Sequence, residues 1–257
     1  MSGGEAEGRL YCSLCLMRRS ASKNMDNSYT IEVLYFLLFL NNRCKPLLQA
    51  TGICKRYGRS QVLTDIRFTF PVGLTLLTGP SGSGKSTLLR LLATAEEPSE
   101  GMLHWKTRPL SADRRAFRRV LGYAPQMVDL PDDLTAREFV LYISALKELD
   151  HASADEQFAS IADAIGLYAD INNRLSTFSG GMRRRLIFAQ ALLGKPEILV
   201  LDEPTAELDQ QTASKVMRLI AECTRESVVI MTTHNADKMA CCAERVLKIE
   251  AGKQTEP

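Results

Sequence analysis

The chain has 257 residues, 45% of them hydrophobic, enough to bury one substantial core or one core with a smaller subdomain. Its 32 Lys and Arg against 30 Asp and Glu leave a net charge of +2, which gives no reason to expect a polyanion as main partner, so no nucleic acid is expected. Seven cysteines, Cys12, Cys15, Cys44, Cys54, Cys223, Cys241 and Cys242, form no disulfide-like framework and fit a reducing, cytoplasmic compartment.

Residues 1–46 come first. Cys12 and Cys15 make a single CxxC with no second pair at zinc spacing, and read as two free thiols. The apolar stretch IEVLYFLLFL at 31–40 is shorter than the roughly 20 apolar residues of a spanning helix and carries Glu32. Asn41, Asn42 and Arg43 follow it where a secretory signal would place a small-residue cleavage site. This region is expected to be an N-terminal extension: a membrane-surface or partner-docking tail, a poorly ordered segment, or the product of an upstream start, with Met25 as another start.

From residue 47 short apolar runs alternate with helical patterns, which predicts one α/β domain over 47–252 with a mainly parallel sheet, followed by a tail at 253–257. Within 48–72, Val62, Ile66, Phe68 and Phe70 alternate with polar neighbours and predict a small antiparallel sheet packed on the core. Four nearly continuous apolar runs follow: LTLLTGP ending at Pro80, VLGYAPQ at Gln126, EILVLDE at Glu203 and VVIMTTH at His234. Such runs suit parallel strands buried on both faces. Ligands of open α/β sheets bind beyond the carboxyl ends of the strands, so the polar residues at these four ends are expected to converge. Between them, about 127–178 reads as an inserted helical subdomain. There Thr135 with Glu138, and Ser153 with Glu156, each match the S/T-x-x-E capping box ahead of apolar residues at helical spacing.

Gly79, Pro80, Ser81, Gly82, Ser83, Gly84, Lys85 and Ser86 match GxxxxGK[ST] directly after an apolar strand and directly before the helical pattern STLLRLLATA. Glycines let a backbone wrap closely around a phosphate, and the following helix adds its positive N-terminal dipole. Lys85 supplies a point charge for β- and γ-phosphates, and the Ser86 hydroxyl is placed to ligate Mg²⁺. At a second strand end, Asp202 is where a P-loop enzyme orients Mg²⁺, and the adjacent Glu203 carboxylate could polarise the attacking water.

GPSGSGKST at 79–87, Gln126 in YAPQ, FSGGM at 178–182, LVLDEP at 199–204, ELD at 207–209 and TTH at 232–234 stand in the order seen in ATP-binding-cassette (ABC) ATPases, and the chain resembles that family over residues 48–252. The resemblance implies a P-loop NTPase fold with a mainly parallel sheet core, a small antiparallel β subdomain and an inserted α-helical subdomain, with ATP and Mg²⁺ as cofactors. Two cassettes of the family dimerise head to tail. Ser179, Gly180 and Gly181 of one would therefore close over ATP held by the loop of the other, from Gly79 through Thr87. Ser179 would start a helix to about Leu193, with Gly194 as its stop and Pro196 beyond, whose N-terminal amides form a second anion site for the γ-phosphate. By the same resemblance Gln126 would sit near Mg²⁺ and the attacking water, His234 would contact the γ-phosphate, Tyr57 would stack on adenine and Asp209 would close a loop along the dimer interface. The implied metal set is Ser86, Gln126 and Asp202; the implied catalytic set is Lys85, Gln126, Glu203 and His234.

Arg183, Arg184 and Arg185 advance by about 100° each and so cover most of a helix circumference, which predicts a solvated or partner-facing surface. Two residues depart from the family pattern: Met182 stands where many members have Gln, and Glu207 where many have Gly. Neither touches the residues assigned to Mg²⁺ or water, so hydrolysis is expected to survive. The implied function is the ATP-hydrolysing subunit of a membrane transporter, with a separate integral-membrane permease and a second cassette, expected as a homodimer, on the cytoplasmic face of the membrane. FSGGMRRRL resembles subunits of bacterial exporters that pair with short permeases, which points to export. Two other readings stay open. One is a soluble ABC ATPase acting on nucleic acid or ribosomes, against which stands the lack of a coiled coil or second cassette. The other is a non-hydrolysing nucleotide-binding module, against which stand Glu203 and His234.

Overall fold

The computed structural model describes residues 47–233, Met239 and residues 242–255. The expectations for 1–46, including the CxxC and the apolar run at 31–40, and for His234 lie outside the described residues.

The described chain opens with β1 (Leu48–Tyr57), the two-residue turn Gly58-Arg59, β2 (Ser60–Phe70), β3 (Gly73–Thr78) and helix α1 (Lys85–Leu92). There follow β4 (Glu100–Trp105), β5 (Arg108–Pro109), α2 (Arg114–Val120) and β6 (Leu121–Ala124). The segment after β6 is helical, with α3 (Ala136–Leu146), α4 (His151–Ala164) and α5 (Gly180–Ala191). The last elements are β7 (Ile198–Asp202), α6 (Gln210–Cys223), β8 (Val228–Thr232), β9 (Arg245–Glu250) and β10 (Lys253–Thr255).

Six strands form one sheet in the order β10-β9-β3-β8-β7-β6, parallel except for β10. The four apolar runs are thus the four adjacent strands β3, β8, β7 and β6, and their carboxyl ends lie along one edge of the sheet. Every residue of β7 and β8 is buried, and alternate positions feed two cores. Leu199, Leu201, Val229 and Met231 pack with Phe158, Phe178 and Phe188 from the helices α3–α6 side. Ile198, Val200, Val228 and Ile230 pack on the other face with α1, Phe70 and Phe117. Burial on both faces removes the polar alternation of a surface strand, and each fully buried large side chain contributes about 1.5–3 kcal/mol. Among the described residues no helix is long and apolar enough to cross a membrane.

A second, antiparallel sheet has the order β2-β1-β4-β5. Two of its strands, β4 and β5, lie beyond the 48–72 segment from which a small sheet was expected. Its buried β2 residues are Leu63, Ile66 and Phe70, whereas Val62 and Phe68 are only half-buried. The period of two fails because the β1–β2 register shifts three times, and Asp65 lies in the left-handed region at φ 50°.

Two further expectations change. The Thr135–Glu138 capping box forms, but the Ser153–Glu156 box does not. Helix α4 begins earlier because Asp150, an equally good N-cap three residues ahead, accepts a hydrogen bond from the Ser153 amide at 2.9 Å. Residues 253–255, expected as the start of a tail, form β10 and pair with β9 from Lys253↔Glu250 to Thr255↔Lys248.

Candidate functional site

The GxxxxGK[ST] segment turns from β3 into α1. Gly79 has φ 139°, and a Cβ there would fall 1.9 Å from the Ile249 carbonyl oxygen, so only glycine lets the loop pass this close to β9. Gly82, at φ 75°, faces open space, with no heavy atom within 4 Å of where a Cβ would stand. Of the α-helices described above, α1 is the one with no side-chain N-cap; Asp113, Thr135, Asp150, Ser179 and Asp209 cap the other five. Its N-terminal amides and positive dipole end are therefore left for a ligand rather than for a side chain.

Two more features of this loop fit a phosphate. The Ser83 hydroxyl is buried with no hydrogen-bond partner. The Lys85 ammonium folds back onto its own loop and donates to the Gly79 and Pro80 carbonyls at 2.8 Å each. Both are groups that a phosphate oxygen would satisfy better than the backbone does. Pro80 and Ser81 are exposed, Ser86 is half-buried beside Lys85, and Thr87 is buried on the inner side of α1.

At the neighbouring strand ends, Asp202 is buried and Glu203 half-buried. The Gln126 amide donates to Glu203 Oε2 at 3.1 Å, so the ends of β6 and β7 meet. Thr232, at the end of β8, joins them: its hydroxyl donates to Asp202 Oδ1 at 2.6 Å and accepts from the Glu203 amide at 2.9 Å. Thr232 was not among the sequence-derived site residues. The signal for it was a fully buried hydroxyl at the polar end of an otherwise apolar run. No cluster of three His, Cys, Asp or Glu side chains suited to a metal exists among the described residues. A set of one hydroxyl, one amide and one carboxylate oxygen (Ser86, Gln126, Asp202) completed by phosphate oxygens and water is instead the donor chemistry of Mg²⁺.

Tyr57 ends β1 and is partly exposed. Its hydroxyl donates to Glu96, and Arg90 links the pair by donating to Glu96 Oε1 at 2.7 Å, to the Tyr57 oxygen at 3.4 Å and to Thr87 Oγ1 at 3.2 Å. Burial alone would raise the Glu96 carboxyl, but hydrogen bonds from Tyr57 and Lys55 and the charges of Arg90 and Lys55 outweigh it and hold the group below the usual carboxylate range. Arg90 and Glu96 were missed in the sequence because a single charged residue on a helix, or in the bend that follows it, carries no pattern.

Ser179 caps α5, accepting from the Met182 amide at 3.3 Å, and Gly194 sits beyond the helix at φ 76°. Ser179 and Gly180 are exposed. The atoms nearest to where a Cβ on Gly180 or Gly181 would stand belong to Glu207 and Leu208, not to the loop at 79–86. Asp209 caps α6 by accepting from the Thr212 amide at 2.9 Å. The three arginines, expected as a solvated or partner-facing surface, are each half-buried and make contacts within the chain, two of them with acidic neighbours. Arg183 pairs with Asp132 at 3.0 Å, Arg184 with Glu207 at 3.2 Å, and Arg185 donates to the Gly166 carbonyl at 2.5 Å. Carbonyls left over at the ends of the surrounding turns attract cations, and a guanidinium can serve several at once.

Comparison with known proteins gives one family. A profile described as ABC transporter matches residues 63–206. The lipoprotein-releasing system ATP-binding protein of Nitratidesulfovibrio vulgaris is 33% identical over 220 residues, which cover 81% of this chain and 94% of that one. Nod factor export ATP-binding protein I of Rhizobium etli is 32% identical over 205 residues, covering 79% of this chain and 65% of that one. Some curated relatives are therefore longer: the chain spans about two thirds of their length. Among solved structures, a dimeric bacterial ABC transporter cassette shares the fold with a TM-score of 0.74 at 24% identity, over 81% of this chain and 97% of that one.

Proposed function

The chain belongs to the ABC transporter family as one of its ATPase cassettes, and from that premise we propose that it drives export through a separate integral-membrane permease by ATP-dependent head-to-tail pairing with a second copy of itself. In this reading residues 47–252 are the cassette, 127–178 its helical subdomain, and the protein is peripheral on the cytoplasmic face of the membrane. The observation that carries it is the Gln126–Glu203 contact at 3.1 Å beside an uncapped helix and its glycine loop. The export and release systems in which the two relatives serve support the direction.

The loop from Gly79 to Thr87 holds the triphosphate, with Lys85 exchanging two carbonyl partners for phosphate oxygens. Tyr57 stacks on the base, held by Glu96 and Arg90. Ser86, Gln126 and Asp202 would hold Mg²⁺, which neutralises charge on the phosphate oxygens when bound. Glu203 takes a proton from the attacking water; the Gln126 amide fixes where its carboxylate points, and the Thr232 hydroxyl holds its backbone amide. His234 contacts the γ-phosphate in this reading. Ser179, Gly180 and Gly181 meet the γ-phosphate of the partner's ATP with the dipole end of α5, so binding closes the pair and loss of that phosphate reopens it.

Glu203→Gln tests both halves of the proposal. It is expected to lower turnover at least about a hundredfold, the scale of a lost general base. On size-exclusion chromatography with light scattering it should dimerise in MgATP and stay monomeric in MgADP, and an added Ser179→Arg should abolish the dimer. Unchanged turnover in Glu203→Gln, together with a monomer in MgATP, would overturn it.

A further inference from the structure

Two residues of the loop that follows β7 lie in the left-handed region, Glu203 at φ 52° and Glu207 at φ 61°. Side chains other than glycine enter this region at a cost, and they stay there only when surrounding contacts hold them. Here one side chain contacts both. Arg184 donates through Nη1 to the Glu203 carbonyl at 3.4 Å, and its Nη2 lies 3.2 Å from Glu207 Oε1. The Arg184 side chain is 13% exposed while that of Glu207 is 70% exposed, so the cation is largely withdrawn from water and its counter-charge covers it from outside. A planar guanidinium can serve a carbonyl and a carboxylate together; an ammonium on a flexible stem cannot hold the same geometry.

Arg184 sits on α5, the helix headed by Ser179, and Glu207 reaches that same head. Glu207 Oε2 is 3.7 Å from the Cβ position of Gly180, and its carbonyl oxygen is 3.9 Å from that of Gly181. The helix that would meet the partner's nucleotide and the loop that carries the hydrolytic carboxylate of the chain's own site are thus fastened together by one ion pair and one hydrogen bond. We propose that Arg184, with Glu207 as its counter-charge, is a positioning residue for hydrolysis: it fixes the loop of Glu203 against α5 and so ties the two half-sites of one protomer to each other. The inference rests on the function proposed above, because the position of this loop matters only if Glu203 activates water.

The test is single- and multiple-turnover hydrolysis of MgATP by the full chain as wild type, Arg184→Gln, Arg184→Lys, Glu203→Gln and the double variant Arg184→Gln/Glu203→Gln. Arg184→Gln is expected to lower kcat about tenfold with KM within about twofold, and Arg184→Lys to restore little of it. In the Glu203→Gln background the same change should leave residual turnover where it was, since Arg184 acts through Glu203. A merely structural residue would cost the same factor in both backgrounds, and that result, or wild-type kcat in Arg184→Gln, overturns the proposal. Glu207→Gln, at an exposed side chain, guards against a misfolded Arg184 variant and is expected to lower kcat about threefold with KM unchanged; wild-type kcat there also overturns it. Failure of the underlying function looks different, because Glu203→Gln would then leave turnover untouched whatever Arg184 does.

Discussion

Lys147 shows how far a single residue can be from its sequence reputation. It follows α3, is buried, and donates to the Leu193 carbonyl at 2.6 Å, just beyond the end of α5. Burial pushes its ammonium down from the ordinary 10.5 to about 8. Below about pH 8 both folded and unfolded chains carry the proton and the full desolvation cost stands. Between about 8 and 10.5 the unfolded chain binds more protons, so stability rises with pH across that window. The integrated effect is about 3 kcal/mol at most, taken from the size of the shift. Lys147→Met lacks this contribution, so its stability relative to wild type is expected to be highest near pH 7.5 and to fall as pH approaches 10. Urea unfolding of both proteins at three pH values measures it, and a difference that is flat with pH would mean that the amine is hydrated. Nothing in the sequence around ALKELD marks this lysine, because burial of a long side chain is decided by elements that meet only in the fold. Lys85, Asp202 and Glu203, by contrast, could be read directly, because a glycine loop and a strand end fix the local backbone that presents them.

The elements were legible where one local signal ruled and illegible where two competed. The four apolar runs became β3, β6, β7 and β8 because a short, nearly continuous apolar run bounded by turn residues suits a strand covered on both faces. At the start of α4, two caps three residues apart competed. The S/T-x-x-E pattern favoured Ser153, yet Asp150 accepts the Ser153 amide and the helix starts at His151. Hydrogen bonding also holds the Asp150 carboxyl below its ordinary value, first through the Ser153 amide. Asp150→Ala is therefore expected to destabilise the protein measurably and Ser153→Ala hardly at all, the order opposite to the sequence reading. Denaturant midpoints at constant slope would decide between them, and a larger loss in Ser153→Ala would restore the capping box. The antiparallel sheet was harder, since three register shifts between β1 and β2 buried Leu63 in place of Val62 and left Phe68 half-buried, so the buried positions Leu63, Ile66 and Phe70 fall at intervals of three and four that a period of two does not predict.

At the scale of the whole molecule, the phosphate loop is supported from the far end of the chain, which no window of sequence could reveal. The Ile249 carbonyl of β9 presses on Gly79, and the turn between β9 and β10 reaches both the loop and the antiparallel sheet. Gly252 donates to the Ser83 carbonyl at 3.1 Å and accepts from the Thr64 amide at 2.8 Å. Thr64 and Ser83 are thus each hydrogen-bonded to a glycine more than a hundred residues further along the chain, and residues 253–255 keep that turn in place by pairing with β9. Ending the chain after Glu250 should therefore act on the site and not only on an edge strand. It removes β10 and both Gly252 bonds, each worth about 1 kcal/mol, while the loop sequence and the ends of β6, β7 and β8 stay intact. The expected result is a lower melting temperature together with MgATP affinity reduced about fivefold, the weight of the one bond that reaches the loop, from Gly252 to Ser83. Saturating ATP should restore most of the turnover, because Gln126, Glu203 and Thr232 are held by strands that the truncation does not touch. Titration with a fluorescent ATP analogue and thermal melts measure the two effects separately. Lost stability with unchanged affinity would show that the turn braces the sheet alone, whereas a matched loss of kcat would show that the support extends across the sheet to the strand ends that carry Gln126 and Glu203.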